Sequence, residues 1–227
     1  MVHQEKGRHL GDDIATGNPR AGRIYGVGKS CMDIFGALFL LALLSPLMGV
    51  IALLIKLDSP GPVLFRQERL GRGGKRFIIY KLRTMHDRAD TTVHERYVRS
   101  LIKGEGSGCA IAKMVDDHRV TRLGRALRKS SLDELPQLVN VLKGDLSLVG
   151  PRPAIPYEVE EYKDWHFSRL QVKPGITGLW QATARGRASF DQMVQLDLTY
   201  INKRSLFFDI WILLKTIPAV IHGRGAG

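Results

Sequence analysis

The chain has 227 residues, enough for one sizeable domain or for a smaller domain with an anchor. Its 44% hydrophobic and 25% charged residues exclude a disordered chain. A net charge of +12 favours an anionic partner: a phosphorylated substrate, an acidic leaflet or a nucleic acid. Aromatic residues make up only 7% and are not interleaved with basic stretches, so we expect no nucleic-acid partner. The two cysteines lack zinc-ligand spacing, which favours reduced thiols on the cytoplasmic side.

Residues 1–24 are polar, contain glycine and show no periodicity, which predicts a mobile N-terminal tail. The hydrophobic run that follows begins late and lacks a small-residue cleavage site. A removable signal peptide is therefore not expected.

An uncharged stretch over residues 34–55 would measure roughly 33 Å as a straight helix, enough to cross a bilayer. Ser45 and Pro46 lie in its middle, where proline removes a backbone hydrogen bond and bends a helix. Both flanks are basic, which would hold both ends in the cytoplasm. These features favour a re-entrant membrane helix over residues 25–58, broken at Ser45 and Pro46. An ordinary kinked transmembrane helix is the alternative.

Two strands are predicted next, over residues 63–69 and 76–81, after a Ser-Pro-Gly-Pro turn. The glycine-rich segment 71–74 joins them as a hairpin turn. It lacks the spacing and the following helix of a phosphate-binding loop. Lys81 and Arg83 leave the second strand and either contact a phosphate or face water.

Asp133 and Glu134 form an adjacent carboxylate pair, after a predicted helix around residues 94–102 and a basic helical stretch over residues 119–129. Ser131 and Glu134 fit a capping box, and Asp133 is an alternative N-cap. Either register places both carboxylates at a helix N-terminus, where the dipole stabilises their charge. One interpretation is that they only cap this helix.

The other interpretation is catalytic. An ionised aspartate can attack phosphorus when cations hold the phosphate oxygens and a divalent metal assists. Arg128 and Arg152 are candidates for that task, because a guanidinium binds phosphate in a bidentate fork. Pro151 and Pro153 would stiffen the backbone of Arg152.

Several motifs together carry a resemblance to a known family: Lys29-Ser30 with Asp33, Ser45-Pro46, DSPGPVLFRQERLG, YKLRTM, SLDELPQLVNVLKGDLSLVGPRP and KPGITGLWQ. The chain resembles the bacterial sugar transferases, monotopic polyprenyl-phosphate phosphoglycosyl transferases that start exopolysaccharide and related glycan assembly. The resemblance covers the chain from about Lys29 to the C-terminus. Ser30 departs from the pattern, since members often have a second basic residue there.

The resemblance implies that Asp133 is the nucleophile that takes a sugar phosphate from a UDP-sugar and releases UMP. Glu134 would be its acidic partner, with Mg²⁺ bound at Asp133 and Glu134. Arg152 would bind phosphate, and Arg128 would be a second phosphate-binding residue. The sugar phosphate would then pass to a polyprenyl (undecaprenyl) phosphate. The last residues, 223–227, resemble members that transfer hexose phosphates such as galactose or glucose.

The fold that the resemblance implies is α+β. It is a mainly helical domain at the membrane interface, with a small β-hairpin and an N-terminal re-entrant helix. Residues 59–227 would form the catalytic domain on the cytoplasmic face of the bacterial inner membrane, in a monotopic arrangement. A homodimer is a further expectation.

The C-terminal part adds weaker candidates. Trp180 either stacks on a uracil or sugar ring or is buried in the core. Gln181 and the segment 185–187 are expected on the nucleotide-sugar side. Residues 205–221 are apolar but interrupted by charges, which favours a helix at the interface over a core helix. Its membrane-facing residues would be Phe207, Phe208, Trp211 and Leu214, with the charges toward water.

Two functions other than catalysis remain open at this level. One is a non-catalytic, membrane-anchored protein whose basic face binds anionic lipid. The other is a basic membrane protein associated with nucleic acid, which the low aromatic content disfavours.

Overall fold

A computed structural model describes residues 19–87, 92–103 and 117–221. The described helices are α1 Pro19–Asp58, α2 Thr92–Lys103, α3 Arg122–Ser130, α4 Gln137–Leu142, α5 Pro156–Val159, α6 Leu179–Thr183, α7 Phe190–Lys203 and α8 Leu206–Ile221. The strands are β1 Leu64–Leu70, β2 Arg76–Leu82, β3 Ser147–Val149 and β4 Gly175–Thr177, and 3₁₀ turns cover Arg72–Gly74, Leu132–Glu134 and Asp164–Gln171. The predicted mainly helical fold with a small antiparallel hairpin and one long apolar helix is confirmed.

Helix α1 is continuous across Ser45 and Pro46. The Ser45 hydroxyl donates to the Ala42 carbonyl (3.0 Å), one turn before the proline. The part over Ile24–Asp58 has a mean hydropathy of 2.7 and, by length and composition, could cross a membrane. The helix begins at Pro19, inside the predicted tail, whose residues 1–18 lie outside the described residues. The re-entrant path stays a prediction.

Two separate parts of α1 pack against the rest of the protein, with no buried residue between positions 38 and 50. Ala37 lies in a core cluster with Leu138 and Val141 of α4. Ile51 and Ile55, four turns further on, lie in another cluster with Leu82 and Leu127. Much of the remaining surface of α1 is apolar and exposed, including Phe35, Phe39, Leu43, Val50 and Leu53. Tyr25, near the start of α1, contacts Asp209 of α8, so both ends of α1 contact the same domain.

The hairpin of β1 and β2 forms as predicted, with Leu64 opposite Leu82 and Leu70 opposite Arg76. Its turn needs glycine, because Gly73 and Gly74 have φ values of 65° and 75°. Helix α4 binds the outer edge of β2 through Asn140, which is fully buried. The Asn140 amide accepts from Tyr80 N (3.1 Å) and donates to the Ile78 carbonyl (2.7 Å). These bonds fix the segment before α4 beside β2.

A second sheet was not predicted from the sequence. Strands β3 and β4 pair in parallel, with Ser147 opposite Gly175 and Val149 opposite Thr177. The backbones approach so closely that a Cβ on Gly175 would collide with the backbone of Gly150. Three-residue strands give too little alternation to be recognised in a sequence.

Buried polar side chains join the start of α1 to α8. The Tyr25 hydroxyl donates to Asp209 Oδ2 (3.0 Å), and the Tyr200 hydroxyl donates to Asp209 Oδ1 (2.7 Å). Lys29 Nζ lies 3.3 Å from both Asp33 Oδ1 and Asp209 Oδ2. Asp33 also accepts from the backbone N–H of Leu148.

This network corrects the prediction for residues 205–221. Asp209 is fully buried and does not face water. The exposed apolar face of α8 consists of Phe207, Ile210, Leu214 and Ile217. Phe208 and Trp211, which we expected on the membrane side, pack against the core instead. The spacing of the apolar residues predicted the helix but did not show that Asp209 lies on its buried side.

Candidate active site

The carboxylate pair lies in a tight turn between α3 and α4. Ser131 has φ 55°, the left-handed conformation that ends α3 and reverses the chain. Asp133 and Glu134 then form a 3₁₀ turn, and Pro136 precedes α4. Neither the 3₁₀ turn nor α4 has a side-chain hydrogen bond that caps its N-terminus, so the predicted capping box is wrong. The Ser131 hydroxyl instead accepts from Arg185 Nη1 (3.0 Å).

Asp133 is buried, with 8% of its surface exposed. Burial raises the pKa of its carboxyl to about 6, and the neighbouring charge of Glu134 acts in the same direction. The cations Lys81 and Arg128 oppose this rise. Asp133 forms no ion pair with another described residue, so its carboxylate is not committed to a partner.

Glu134 is held by Lys81, which comes from β2. Lys81 Nζ lies 2.7 Å from Glu134 Oε1. Burial would raise the pKa of Glu134, but the charge and hydrogen bond of Lys81, with Arg185 and Arg152, keep this pKa below its ordinary value. The two adjacent carboxyls therefore differ: Glu134 is an ionised partner of a lysine, whereas Asp133 is a buried carboxylate without such a partner.

Arginines from three parts of the chain surround the pair. Arg128 of α3 donates through Nε to the Thr84 hydroxyl (2.9 Å), and its charge lowers the pKa of Asp133. Arg152 follows β3, and its charge lowers the pKa of Glu134. Lys81 thus contacts the pair directly, and the charges of Arg128 and Arg152 act on it. The structure adds Arg185, which the sequence suggested only for the nucleotide-sugar side.

Arg83 has a different place from the one we expected. It is buried, and its guanidinium donates to the carbonyls of Pro60 (2.8 Å) and Ser59 (2.6 Å) at the end of α1. It also donates to the Ile55 carbonyl (3.2 Å). These contacts satisfy helix-end carbonyls that have no partner within the helix. Arg83 therefore joins α1 to β2, and we leave it out of the phosphate-binding set.

Trp180 and Gln181 lie on α6. Trp180 is 4% exposed and packs with Val98, Phe190 and Met193, which agrees with the core alternative. Trp180 Nε1 and Gln181 Oε1 are buried without a hydrogen-bond partner among the described residues. Their expected role on the nucleotide-sugar side stays a prediction.

The donor atoms at the pair fit Mg²⁺. Carboxylate oxygens are the ligands that this cation prefers, and it commonly uses one or two of them together with waters and substrate phosphates. The raised pKa of Asp133 reflects a negative charge that burial disfavours and that a cation would stabilise. Within residues 24–87, 92–103 and 117–220, no group of three or more acidic, histidine or cysteine residues offers a fuller protein cage.

Sequence comparisons identify a matching family and several named relatives. The family model described as bacterial sugar transferase matches residues 24–223. The chain is 40% identical over 203 residues to the exopolysaccharide production protein ExoY of Rhizobium meliloti, covering 89% of each chain. It is 44% identical to the UDP-glucose:undecaprenyl-phosphate glucose-1-phosphate transferase of Caulobacter vibrioides, covering 85% of this chain and 69% of that protein.

Other relatives are longer. The galactosyl transferase CpsE of Streptococcus agalactiae is 42% identical over 205 residues, which cover 88% of this chain but only 43% of CpsE. The chain thus spans less than half the length of some relatives and most of the length of others. The shared part includes Lys81, the carboxylate pair and Arg152, because all of them fall within the family match. The chain belongs to the bacterial sugar transferase family, and the prediction that it is an enzyme of the phosphoglycosyl transferase type is confirmed.

Proposed function

We propose that this enzyme transfers a sugar 1-phosphate from a UDP-sugar to a polyprenyl phosphate, through a covalent intermediate on Asp133. The observation that carries the proposal is the contrast within the pair. Lys81 engages Glu134, whereas Asp133 is buried between cations and forms no ion pair with a described residue. A carboxylate that must attack phosphorus needs an available oxygen, and Asp133 has one.

In the first step, an oxygen of Asp133 forms a bond to the β-phosphorus of the donor. The bond from that phosphorus to the bridging oxygen breaks, and UMP leaves with the electron pair. In the second step, an oxygen of the polyprenyl phosphate attacks the same phosphorus. The bond to Asp133 breaks, the carboxylate is regenerated, and the product is a polyprenyl diphosphate sugar.

The cations around the pair have separate tasks in this scheme. Arg128 and Arg152 bind phosphate oxygens and stabilise the charge that develops on them. Lys81 holds Glu134 beside Asp133 and lowers the pKa of Asp133, which keeps the nucleophile ionised. Mg²⁺ held by Asp133 and Glu134 would supply further positive charge for the diphosphate.

The position in the membrane is part of the proposal. Tyr25 near one end of α1 and Ile55 near the other contact one domain, which supports a path that enters and leaves the bilayer on the same face. The apolar side chains exposed on α1 and α8 would lie in the lipid. Basic residues next to both ends of α1 favour the cytoplasmic face. There the site would meet a soluble donor and a lipid acceptor.

The substrates follow from the relatives. The Caulobacter protein is named for UDP-glucose and undecaprenyl phosphate, and a Salmonella relative is named an undecaprenyl-phosphate galactose phosphotransferase. We therefore propose undecaprenyl phosphate as acceptor and a hexose, glucose or galactose, as the sugar. The product would start the assembly of an exopolysaccharide or a related glycan.

The test is UMP release by the full chain in nanodiscs containing Mg²⁺, with UDP-glucose, UDP-galactose and their N-acetylated forms. Without acceptor we expect about one UMP per enzyme, because the covalent intermediate accumulates. Undecaprenyl phosphate should convert this burst into turnover. Asp133→Asn should abolish the burst, and Asp191→Asn, at a partly exposed aspartate paired with Lys163, should not. A full burst from Asp133→Asn would move the nucleophile elsewhere. A folded enzyme that releases UMP only when acceptor is present would contradict the covalent intermediate.

A further inference from the structure

The segment from Pro151 to Ala154 is held in an unusual way. Each of its carbonyls accepts a hydrogen bond from a different part of the fold. Pro151 O accepts from the backbone of Gly175 (2.8 Å), and Ala154 O accepts from the backbone of Leu70 (2.8 Å). The two carbonyls between them accept from arginine side chains. Arg169 Nη2 donates to Arg152 O (3.1 Å), and Arg69 Nη1 donates to Pro153 O (3.0 Å).

The two arginines are themselves fixed. Arg169 is 2% exposed, and its Nη2 lies 2.6 Å from Asp197 Oδ2, an ion pair buried on both sides. Its Nη1 donates to the Tyr162 hydroxyl (3.0 Å). Arg69 is 6% exposed, and its Nη2 donates to Gln67 Oε1 (2.7 Å). Neither guanidinium therefore has freedom to move away from the segment.

Stability alone gives a poor reason for this arrangement. A buried charge loses its hydration, and well-packed apolar residues can replace a buried ion pair without loss of stability. In addition, the Nε atoms of Arg69 and Arg169 are buried without a hydrogen-bond partner among the described residues. A buried donor without a partner is a further cost. Two such arginines donate to consecutive carbonyls of one segment. This arrangement indicates that the conformation of the segment matters for function.

Arg152 is the residue at the centre of the segment. Pro153 restricts the backbone of Arg152, since the residue before a proline avoids the helical conformation. The hydrogen bonds to Arg152 O and Pro153 O fix the peptide planes that follow. Burial and the charge of Arg152 lower the pKa of Arg69 to about 10, so Arg69 stays charged at neutral pH and repels the Arg152 guanidinium. The charge of Arg152 in turn lowers the pKa of Glu134.

We propose that Arg69 and Arg169 are positioning residues, which fix the backbone of Arg152 so that its guanidinium meets the donor phosphate in one orientation. This inference rests on the proposed function, in which Arg152 binds that phosphate. Neither residue touches the substrate. They affect the reaction only by orienting Arg152. Substitution of Arg69 or Arg169 should therefore have no effect when the Arg152 side chain is absent.

A double-mutant cycle tests this dependence. Every variant is made in the full chain in nanodiscs with Asp133→Asn, so that the donor binds without reacting. The ligand is the UDP-sugar, UDP-glucose or UDP-galactose, that gave the UMP burst. Its affinity is measured by calorimetry. The cycle combines Arg69→Met with Arg152→Ala. Arg69→Lys serves as the conservative variant, and Arg76→Met, at an exposed hairpin arginine, is the control.

We expect Arg152→Ala to weaken donor binding about tenfold or more, the scale of a lost charge-assisted contact. Arg69→Met should weaken it about tenfold alone but less than about twofold in the Arg152→Ala background. Arg69→Lys should restore part of the affinity. An equal loss from Arg69→Met in both backgrounds would overturn the positioning role while leaving the role of Arg152 intact. No loss from Arg152→Ala would overturn the phosphate contact itself, and the positioning role with it.

A second variant covers the case in which Arg69→Met does not fold. Arg169→Met combined with Asp197→Leu replaces a buried ion pair with apolar residues. We expect this pair of substitutions to keep the thermal stability of the enzyme and to weaken donor binding about tenfold, again only when Arg152 is present. Retained stability with unchanged affinity would overturn the inference for Arg169.

Discussion

Replacing Asp133 with asparagine is expected to stop the reaction and also to stabilise the fold at neutral pH. Burial raises the pKa of Asp133 from 3.8 to about 6. Between these values the folded protein binds more protons than the unfolded chain, so the free energy of unfolding falls as pH rises. A shift of about 2 pKa units corresponds to about 3 kcal/mol above pH 6. The asparagine amide must also be accommodated, so we expect a net gain of about 1–2 kcal/mol.

The assay is thermal unfolding of the full chain in detergent, with EDTA, followed by tryptophan fluorescence between pH 4 and pH 8. A gain of about 1–2 kcal/mol corresponds to a midpoint about 2–8 °C higher for a chain of this size. The gain should be largest above pH 7 and should shrink as pH falls through 6, where the folded carboxyl becomes protonated. Near pH 4 only the cost of the amide is left, and the asparagine variant should be no more stable than the wild type. A difference that does not change with pH, or an asparagine variant that is less stable at pH 7.5, would refute this reasoning.

A second buried aspartate supplies the contrast. Asp197 has an ion pair with Arg169 at 2.6 Å, which Asp133 lacks. Burial raises the pKa of Asp197 to about 6 as well, but Arg169 opposes this rise. Asp197→Asn leaves the buried Arg169 guanidinium without its anion, and we expect this loss to outweigh the relief of burying a carboxylate, with a net cost of about 3–5 kcal/mol. The two substitutions are chemically identical and are expected to change stability in opposite directions. Added Mg²⁺ should stabilise the wild type and leave Asp133→Asn nearly unchanged, because the cation needs the carboxylate.

Three further substitutions have defined outcomes. Lys81→Gln removes a cation that lowers the pKa of Asp133, so the rise of UMP release with pH should move about one unit higher, whereas Lys75→Gln on the hairpin turn leaves the pH profile unchanged. Arg83→Gln removes hydrogen bonds to the end of α1 and should lower the thermal midpoint without changing donor affinity, and a selective loss of affinity would return this residue to the site. Gly124→Ala places a Cβ 2.8 Å from Thr84 Cα and should cost more than about 1 kcal/mol, measured by thermal unfolding, while Gly26→Ala meets open space and should cost nothing.

The sequence was most informative where the pattern was local. Hydrophobic alternation and the Gly-Gly turn predicted the hairpin, and the basic period before the pair predicted α3. The carboxylate pair and its flanking arginines could be selected because their types suit phosphate chemistry. Lys81 could be included because it leaves the second predicted strand, where it would contact a phosphate or face water.

Long-range contacts could not be read in the same way. Asp209 was expected in water, but Tyr25 and Tyr200 hold it from distant parts of the chain. Arg83 looked like a phosphate ligand because its type fits, although helix-end carbonyls bind it. The capping-box prediction was wrong because Ser131 is left-handed and its hydroxyl accepts a hydrogen bond from Arg185. A side chain's type limits what it can bind, and the fold decides which partner it meets.

The packing of α1 also affects how the protein is made. Ala37, Ile51 and Ile55 belong to the same clusters as Leu138 and Leu82, so α1 completes the hydrophobic core as well as anchoring the protein. A fragment that starts at residue 59 would leave these clusters open to water and should aggregate; recovery of a folded, water-soluble fragment would contradict this view. Helix α1 therefore cannot be cut away to obtain a smaller enzyme, because truncation before residue 59 removes part of the core with it.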